Sequence, residues 1–218
     1  MFSIIKSNSA SRITEIREYI EFIDPLIPKP PVTTPRFLNS AKGLVFVQLY
    51  GVIEYTVLTT ISKTINLINS AAVTLNDVKP IILSLALNSE LEAIYGAPKK
   101  KWDKRHELFK IFEINPFVEI SEDILPTDGK NIHYPQLESI WKIFCLTDPI
   151  FHDVTFRGRL QDIVSNRVNI AHGNQAASEV GSRVTTNDLS IRLDDVSKFC
   201  SYFITVFEEY IEKEKFKK

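Results

Sequence analysis

Between residues 36 and 69, apolar side chains return at steps of three and four: Leu44, Val47, Tyr50, Ile53, Val57, Ile61, Ile65 and Ile68. Such steps keep one stripe of a 3.6-residue helix apolar, so they predict a single long helix. Thr34-Pro35 stands directly before the run, and Pro fits a first helical turn because its missing N–H has no intrahelical partner there. A helix this long with a continuous apolar stripe is expected at the centre of a bundle, its neighbours being other helices.

The remaining segments supply them. Ile13, Ile16, Ile20 and Ile23 share one helical face, and Ser9 or Ser11 can cap that helix. Residues 25–35 hold five prolines and read as an extended connector. Asn76 can cap a third helix reaching about Ala93, with Pro80 in its early turns. A basic helix over about 99–112 follows, then an irregular insertion over 113–133 whose VEISEDIL stretch reads as a short strand or an extended arm. Residues 134–146, 155–171 and 189–215 again show helical spacing, and the basic end KEKFKK suits the negative pole of the last helix. The expected fold is all-α, a bundle of about six to seven helices with no substantial sheet, as one domain over 1–218.

Composition narrows the function classes. Apolar residues make up 44% and charged residues 24%, ordinary for a soluble globular chain. The 7 glycines are too few for a turn-rich β fold and form no phosphate-cradling loop. Cys145 and Cys200 lie in apolar-periodic stretches and are expected as buried thiols in a reducing cytoplasm. Histidines and cysteines have no metal-ligand spacing; neither metal nor cofactor is expected. The N-terminus lacks a signal-peptide core, and charged or polar residues interrupt the apolar runs, so no membrane association is expected. With a net charge of −1, any nucleic acid must be met by a local patch.

One segment concentrates chemistry: Asn166-Arg167-Val168-Asn169-Ile170-Ala171-His172-Gly173-Asn174. Five residues apart on a continuing helix, Arg167 and His172 would diverge by about 140°. Gly173 predicts a helix end near Ala171, which frees His172 to turn back beside Arg167. An imidazole exchanges protons near neutral pH; a guanidinium grips phosphate oxygens and stays charged. Together they are the parts needed for internal attack of an RNA 2′-hydroxyl on its phosphate. By spacing alone, an Arg and a His near a helix end are more often a capping and solvation arrangement.

The segment resembles the Rx4–6H motif of HEPN domains, and IAHGN is typical of the branch called RiboL-PSP-type. Leu49-Tyr50-Gly51-Val52-Ile53-Glu54 is similar to the LYxxxE pattern that this branch carries upstream. The order of helices agrees over roughly residues 10 to 213. The resemblance implies a helical bundle, often a symmetric dimer whose two Arg–His motifs face one RNA cleft. It also implies metal-independent endoribonuclease activity leaving a 2′,3′-cyclic phosphate, in a toxin or anti-phage defence setting with an antitoxin or companion subunit. On it, Arg167 and His172 are the catalytic residues, supported by Glu54, Asn166, Asn169 and Asn174. Val168 departs from the pattern, since the family commonly has a polar residue, often Asn, directly after the Arg. That departure favours the rival reading, a non-catalytic HEPN module for dimerisation, RNA binding or regulation.

Glu54 sits among apolar residues of the central helix and needs a partner: either it positions Arg167 or His172 or helps bind RNA, or it forms a structural ion pair in the interior or at its rim. Tyr50, one turn earlier, reads as core. Lys99, Lys100, Lys101, Lys104 and Arg105 can track an RNA backbone with Trp102 for base stacking, although such runs are more often solvated faces. Arg157 and Arg159 can extend a positive cleft but cannot both face it. His106, His133 and His152 read as structural or exposed.

Overall fold

A computed structural model describes residues 1–96, 98–124 and 131–218. Among the described residues there are nine α-helices and no sheet: α1 (Ser3–Ile23), α2 (Arg36–Ser70), α3 (Leu83–Ala86), α4 (Asn88–Gly96), α5 (Lys101–Ile114), α6 (Tyr134–Ile143), α7 (Phe156–Ala171), α8 (Ala177–Ser182) and α9 (Thr186–Glu212). The all-α bundle expected from periodicity is the observed fold, with two short helices beyond the expected six to seven.

The central position goes to α2, against which α1, α7, α8 and α9 all pack. By length and mean hydropathy alone this helix could cross a bilayer, but here it is a core helix. Coverage from several sides widens its buried arc beyond the expected stripe: Val45, Phe46, Leu49 and Val52 are buried, whereas Leu44 is exposed. Thr56, Thr60 and Thr64 are buried at successive turns. The Thr64 hydroxyl donates to the Thr60 carbonyl at 2.8 Å, and the Thr56 hydroxyl lies 3.0 Å from that of Ser9 on α1. Ser9 is therefore a core contact rather than a cap, and α1 starts earlier than expected, at Ser3, because Phe2 and Ile5 prolong its buried face.

Aromatic packing joins α6, α7 and α9. Phe156 on α7 stacks on Phe199 of α9 at 4.8 Å. Trp141 on α6 meets Phe203 of α9, and Phe144, at the end of α6, meets Phe207. The first turn of α9 begins before Leu189 because Thr185 and Asp188 form a capping box, Thr185 N–H donating to Asp188 Oδ2 at 2.9 Å. The helix ends at Glu212, short of the basic end: Phe216 turns inward to a buried site, and Lys79 N–H donates to its carbonyl at 2.9 Å.

The third helix expected from Asn76 to about Ala93 is broken into pieces. Pro80–Ile82 forms a 3-10 turn, α3 lasts one turn, and α4 follows, since Pro cannot continue a helix begun at Asn76. Beyond Ile114 the chain runs irregularly, with an isolated bridge between Thr74 and Phe117. Val118 and Ile120 are buried, and Asn69 clamps Ile120 through both its N–H and its carbonyl. Positions 125–130 of the insertion lie outside the described residues. Cys200 is buried but Cys145 is exposed: α6 stops at Ile143, and Cys145 adopts a left-handed conformation in the turn after it.

The segment after α7, expected as a polar loop, contains α8. Its backbone lies directly on α2. A Cβ on Gly43 would meet the Ala177 carbonyl oxygen at 2.0 Å, and one on Gly181 would meet the Asn39 carbonyl oxygen at 1.8 Å. Only glycine permits this approach. Lys42, also buried, donates to the Val184 carbonyl at 2.8 Å beyond it. The docking of α8 fixes where the chain goes once it leaves α7.

Candidate functional site

On α7, Leu160, Ile163 and Val164 are buried. Arg167 follows Ile163 by four residues and Val164 by three, so it continues the inward stripe. Its guanidinium carbon stands 4.5 Å from the centroid of the Tyr50 ring on α2. Its Nη1 donates to Asn131 Oδ1 at 2.8 Å. A charged planar group is thus held between an aromatic face and an amide.

Tyr50 is itself fixed. Its hydroxyl donates to Glu54 Oε1 at 3.0 Å and accepts the Ile132 N–H at 3.0 Å. Burial, with the neighbouring Glu54, pushes its pKa up to about 12, so the hydroxyl remains a donor across the working pH range. Glu54 therefore reaches Arg167 through Tyr50; among the described residues no ion pair joins the two. Tyr50 belongs to the core, as expected, and also links the LYGVIE segment to Arg167.

The end of α7 lies where Gly173 predicts it. His172 N–H donates to the Val168 carbonyl at 3.0 Å, and Gly173 has φ +71°. His172 is exposed, and its imidazole makes no hydrogen bond among the described residues. Arg167 and His172 thus leave the helix at different depths, the guanidinium docked inward and the imidazole facing outward. Among the described residues no hydrogen bond joins them.

The asparagines divide. Asn166 donates to the Asp162 carboxylate at 2.9 Å, and Asp162 pairs with Arg192 of α9 at 2.9 Å; this network holds α7 to α9. Asn169 donates to Gln175 Oε1 at 3.4 Å, and its carbonyl accepts the Gln175 N–H at 3.2 Å, closing the turn that carries His172. Asn174 is exposed beside them. Val168 packs against the core, so a polar side chain there would lose apolar contact.

Elsewhere, Lys99, Lys100 and Lys101 are exposed. Lys104 is paired with Glu107 at 2.6 Å, and Arg105 lies over Trp102 at 4.8 Å. Arg157 stacks over Tyr134 at 3.9 Å, and Arg159 pairs with Asp195 at 3.1 Å. His152 packs against Phe156 and Tyr202, and His133 precedes α6. Among the described residues, no three His, Cys, Asp or Glu side chains gather as a metal-holding group.

Asn131 carries no mark in the sequence that would single it out. It lies in the insertion read as irregular, and no periodicity marks a residue whose role is a contact with a helix 36 positions later. The only local signal is that Asn131-Ile132 precedes the Pro-bearing start of α6.

No curated protein and no solved structure matches the chain. A family model described as RiboL-PSP-HEPN matches residues 7–213. That span runs from α1 to just past α9 and includes the LYGVIE segment, Asn131 and the α7 end. The chain belongs to the RiboL-PSP-HEPN family.

Proposed function

We propose that the chain is an endoribonuclease that cleaves RNA without a metal, through Arg167 and His172. The observation that carries this reading is Arg167, a guanidinium held over Tyr50 and by Asn131 at the same helix end that presents His172. In the reaction, the 2′-hydroxyl oxygen attacks the adjacent phosphorus and its proton passes to a base. The bond to the 5′-oxygen breaks, and that oxygen takes up a proton. The products are a 2′,3′-cyclic phosphate and a 5′-hydroxyl. Arg167 stabilises the charge that builds on the non-bridging oxygens, and His172 moves a proton at the 2′- or the 5′-oxygen. Asn131, Tyr50 and Glu54 position the guanidinium; Asn166, Asn169 and Asn174 shape the helix end.

The proposed working unit is a homodimer of one-domain chains in the cytoplasm. A twofold axis near the α7 ends would bring two Arg–His motifs around one phosphate. The outward imidazole supports that arrangement, because it is free to face a second copy. The biological role fitting this chemistry is a toxin or anti-phage effector restrained by an antitoxin or companion subunit. Expression tests it: the wild-type chain should slow growth and His172→Ala should relieve the effect, whereas equal growth of both strains would count against it. Mixing wild type with excess His172→Ala chains should suppress cleavage beyond dilution if the site is shared.

The second reading, a non-catalytic module that dimerises, binds RNA or regulates, draws on Val168 packed against the core where the family pattern has a polar residue. Such a module would bind RNA and leave it intact.

A further inference from the structure

We propose that the outer face of α5 is a stacking platform for single-stranded RNA, separate from the Arg167–His172 site. The choice of ligand rests on the ribonuclease reading above. On α5, Leu108 is buried and lines a cleft with Ser89, Glu90 and Ala93 of α4. Trp102, His106 and Phe109 follow one another at four and three residues, so they share one face, which opens on a groove floored by Leu108 and Ile94 of α4. Trp102 is 77% exposed and Phe109 66% exposed. Large rings left this open on a helix that packs mainly on its neighbour α4 call for a ligand with flat apolar faces.

Charge on this helix and in the turn just before it selects that ligand. From Lys99 to Ile114 there are six basic and three acidic residues, in a chain whose overall charge is −1. Lys99, Lys100 and Lys101 are exposed at the entrance to the helix. Arg105 covers one face of the Trp102 indole at 4.8 Å, which leaves the other face for a base. Trp102 and Phe109 are about 10 Å apart along the helix, so each ring can take a different base of an extended strand. Protein interfaces are enriched in aromatic and Arg residues but depleted in Lys. Rings bordered by three exposed lysines suit bases joined by phosphates better.

The test uses the full-length chain carrying His172→Ala and a fluorescein-labelled single-stranded oligouridine, with binding read by anisotropy across a salt series. Trp102→Ala and Phe109→Ala should each weaken binding by about tenfold, the scale for losing one base–aromatic stack. Trp102→Phe should retain most of the affinity. Replacing Lys99, Lys100 and Lys101 by Gln should flatten the salt slope by about 0.7 per lost phosphate contact. All three positions are exposed, so folding is not at stake. Unchanged affinity in both alanine variants would overturn the proposal. So would a fall in light-scattering mass for Trp102→Ala with RNA affinity intact, which would make the face a protein interface. Cleavage by the same variants in the wild-type background separates this failure from that of the ribonuclease reading: a chain that binds through α5 but never cleaves loses only its catalytic assignment.

Discussion

The guanidinium of Arg167 lies over the ring of Tyr50, 4.5 Å from centroid to carbon, although the two residues come from different motifs far apart in the chain. That contact brings the LYGVIE and RVNIAHG segments together. Tyr50 supplies the surface on which Arg167 rests, Glu54 and the Ile132 N–H hold the Tyr50 hydroxyl, and Asn131 orients the guanidinium from the side.

Tyr50→Phe keeps the ring beneath Arg167 but leaves the Glu54 oxygen and the Ile132 N–H without the hydroxyl. Thermal and urea unfolding should show a loss of about 1–3 kcal/mol, the cost of stranding buried polar groups. Cleavage should fall less than for Tyr50→Ala, which also removes the stack. Equal activity of Phe and Ala variants would deny the ring any part in placing Arg167.

Asn131→Ala should lower kcat more than it raises KM, while costing about 1 kcal/mol or less in stability, since the site is only half-buried. Asn131→Asp should keep the guanidinium in place yet weaken RNA binding by putting a carboxylate against it. If the Asp variant binds RNA more tightly than wild type, the amide is not serving to leave the Arg167 charge for phosphate.

Arg167→Lys retains the charge but neither the planar stack nor the fork of donors. Cleavage should drop by about 100-fold, the scale of removing one electrostatic stabiliser of a transition state. Full activity in the Lys variant would reduce Arg167 to a general positive charge.

Gly43→Ala and Gly181→Ala should each destabilise the chain by about 3 kcal/mol or more, because the added methyl collides with backbone rather than with a movable side chain. The path after His172 depends on α8, so cleavage should fall with stability. A Tm shift within experimental scatter for both variants would show that α8 is not seated on α2 in this way.

Alkaline and acid limits follow from the shifted groups. Tyr50 is raised to about 12 and Cys200 to about 11 by burial. Both are neutral when protonated, so the folded chain holds these protons longer than the unfolded one. Stability is complete below the ordinary Tyr and Cys values and declines as pH rises towards 11–12. Asp188, capped by Thr185, and Glu208, paired with Lys6, are lowered; their contribution is present above the ordinary carboxylate range and is lost as pH falls below that range through the lowered values. A urea-midpoint series should therefore fall off at both ends, and Tyr50→Phe should soften the alkaline limb. An alkaline limb identical in Tyr50→Phe and wild type would contradict the Tyr50 assignment.

Long, regular signals were legible in the sequence. The stripe from Val47 to Ile68 marks α2 because many turns repeat it, and Gly173 marks the end of α7 because a left-handed residue favours glycine. The rest depends on contacts that no local pattern encodes. Leu44 matches the α2 stripe but lies outside the arc its partners cover. The short α8 is stabilised by backbone docking at Gly43 and Gly181 rather than by its own propensity. Cys145 follows an apolar helix yet turns outward once the chain goes left-handed. Asn131 acts on α7 from an irregular segment, and only the folded bundle brings the two together.

Cleavage of a labelled RNA by the purified chain in excess EDTA, with the new ends identified chemically, decides whether Arg167 and His172 cut RNA without a metal. Wild type should cut and leave 2′,3′-cyclic phosphate and 5′-hydroxyl ends. His172→Ala should cut about 100-fold to 10,000-fold more slowly, with stability within about 0.5 kcal/mol of wild type because the side chain is exposed. Equal rates for wild type and His172→Ala, or ends other than a cyclic phosphate, would contradict the Arg167–His172 mechanism.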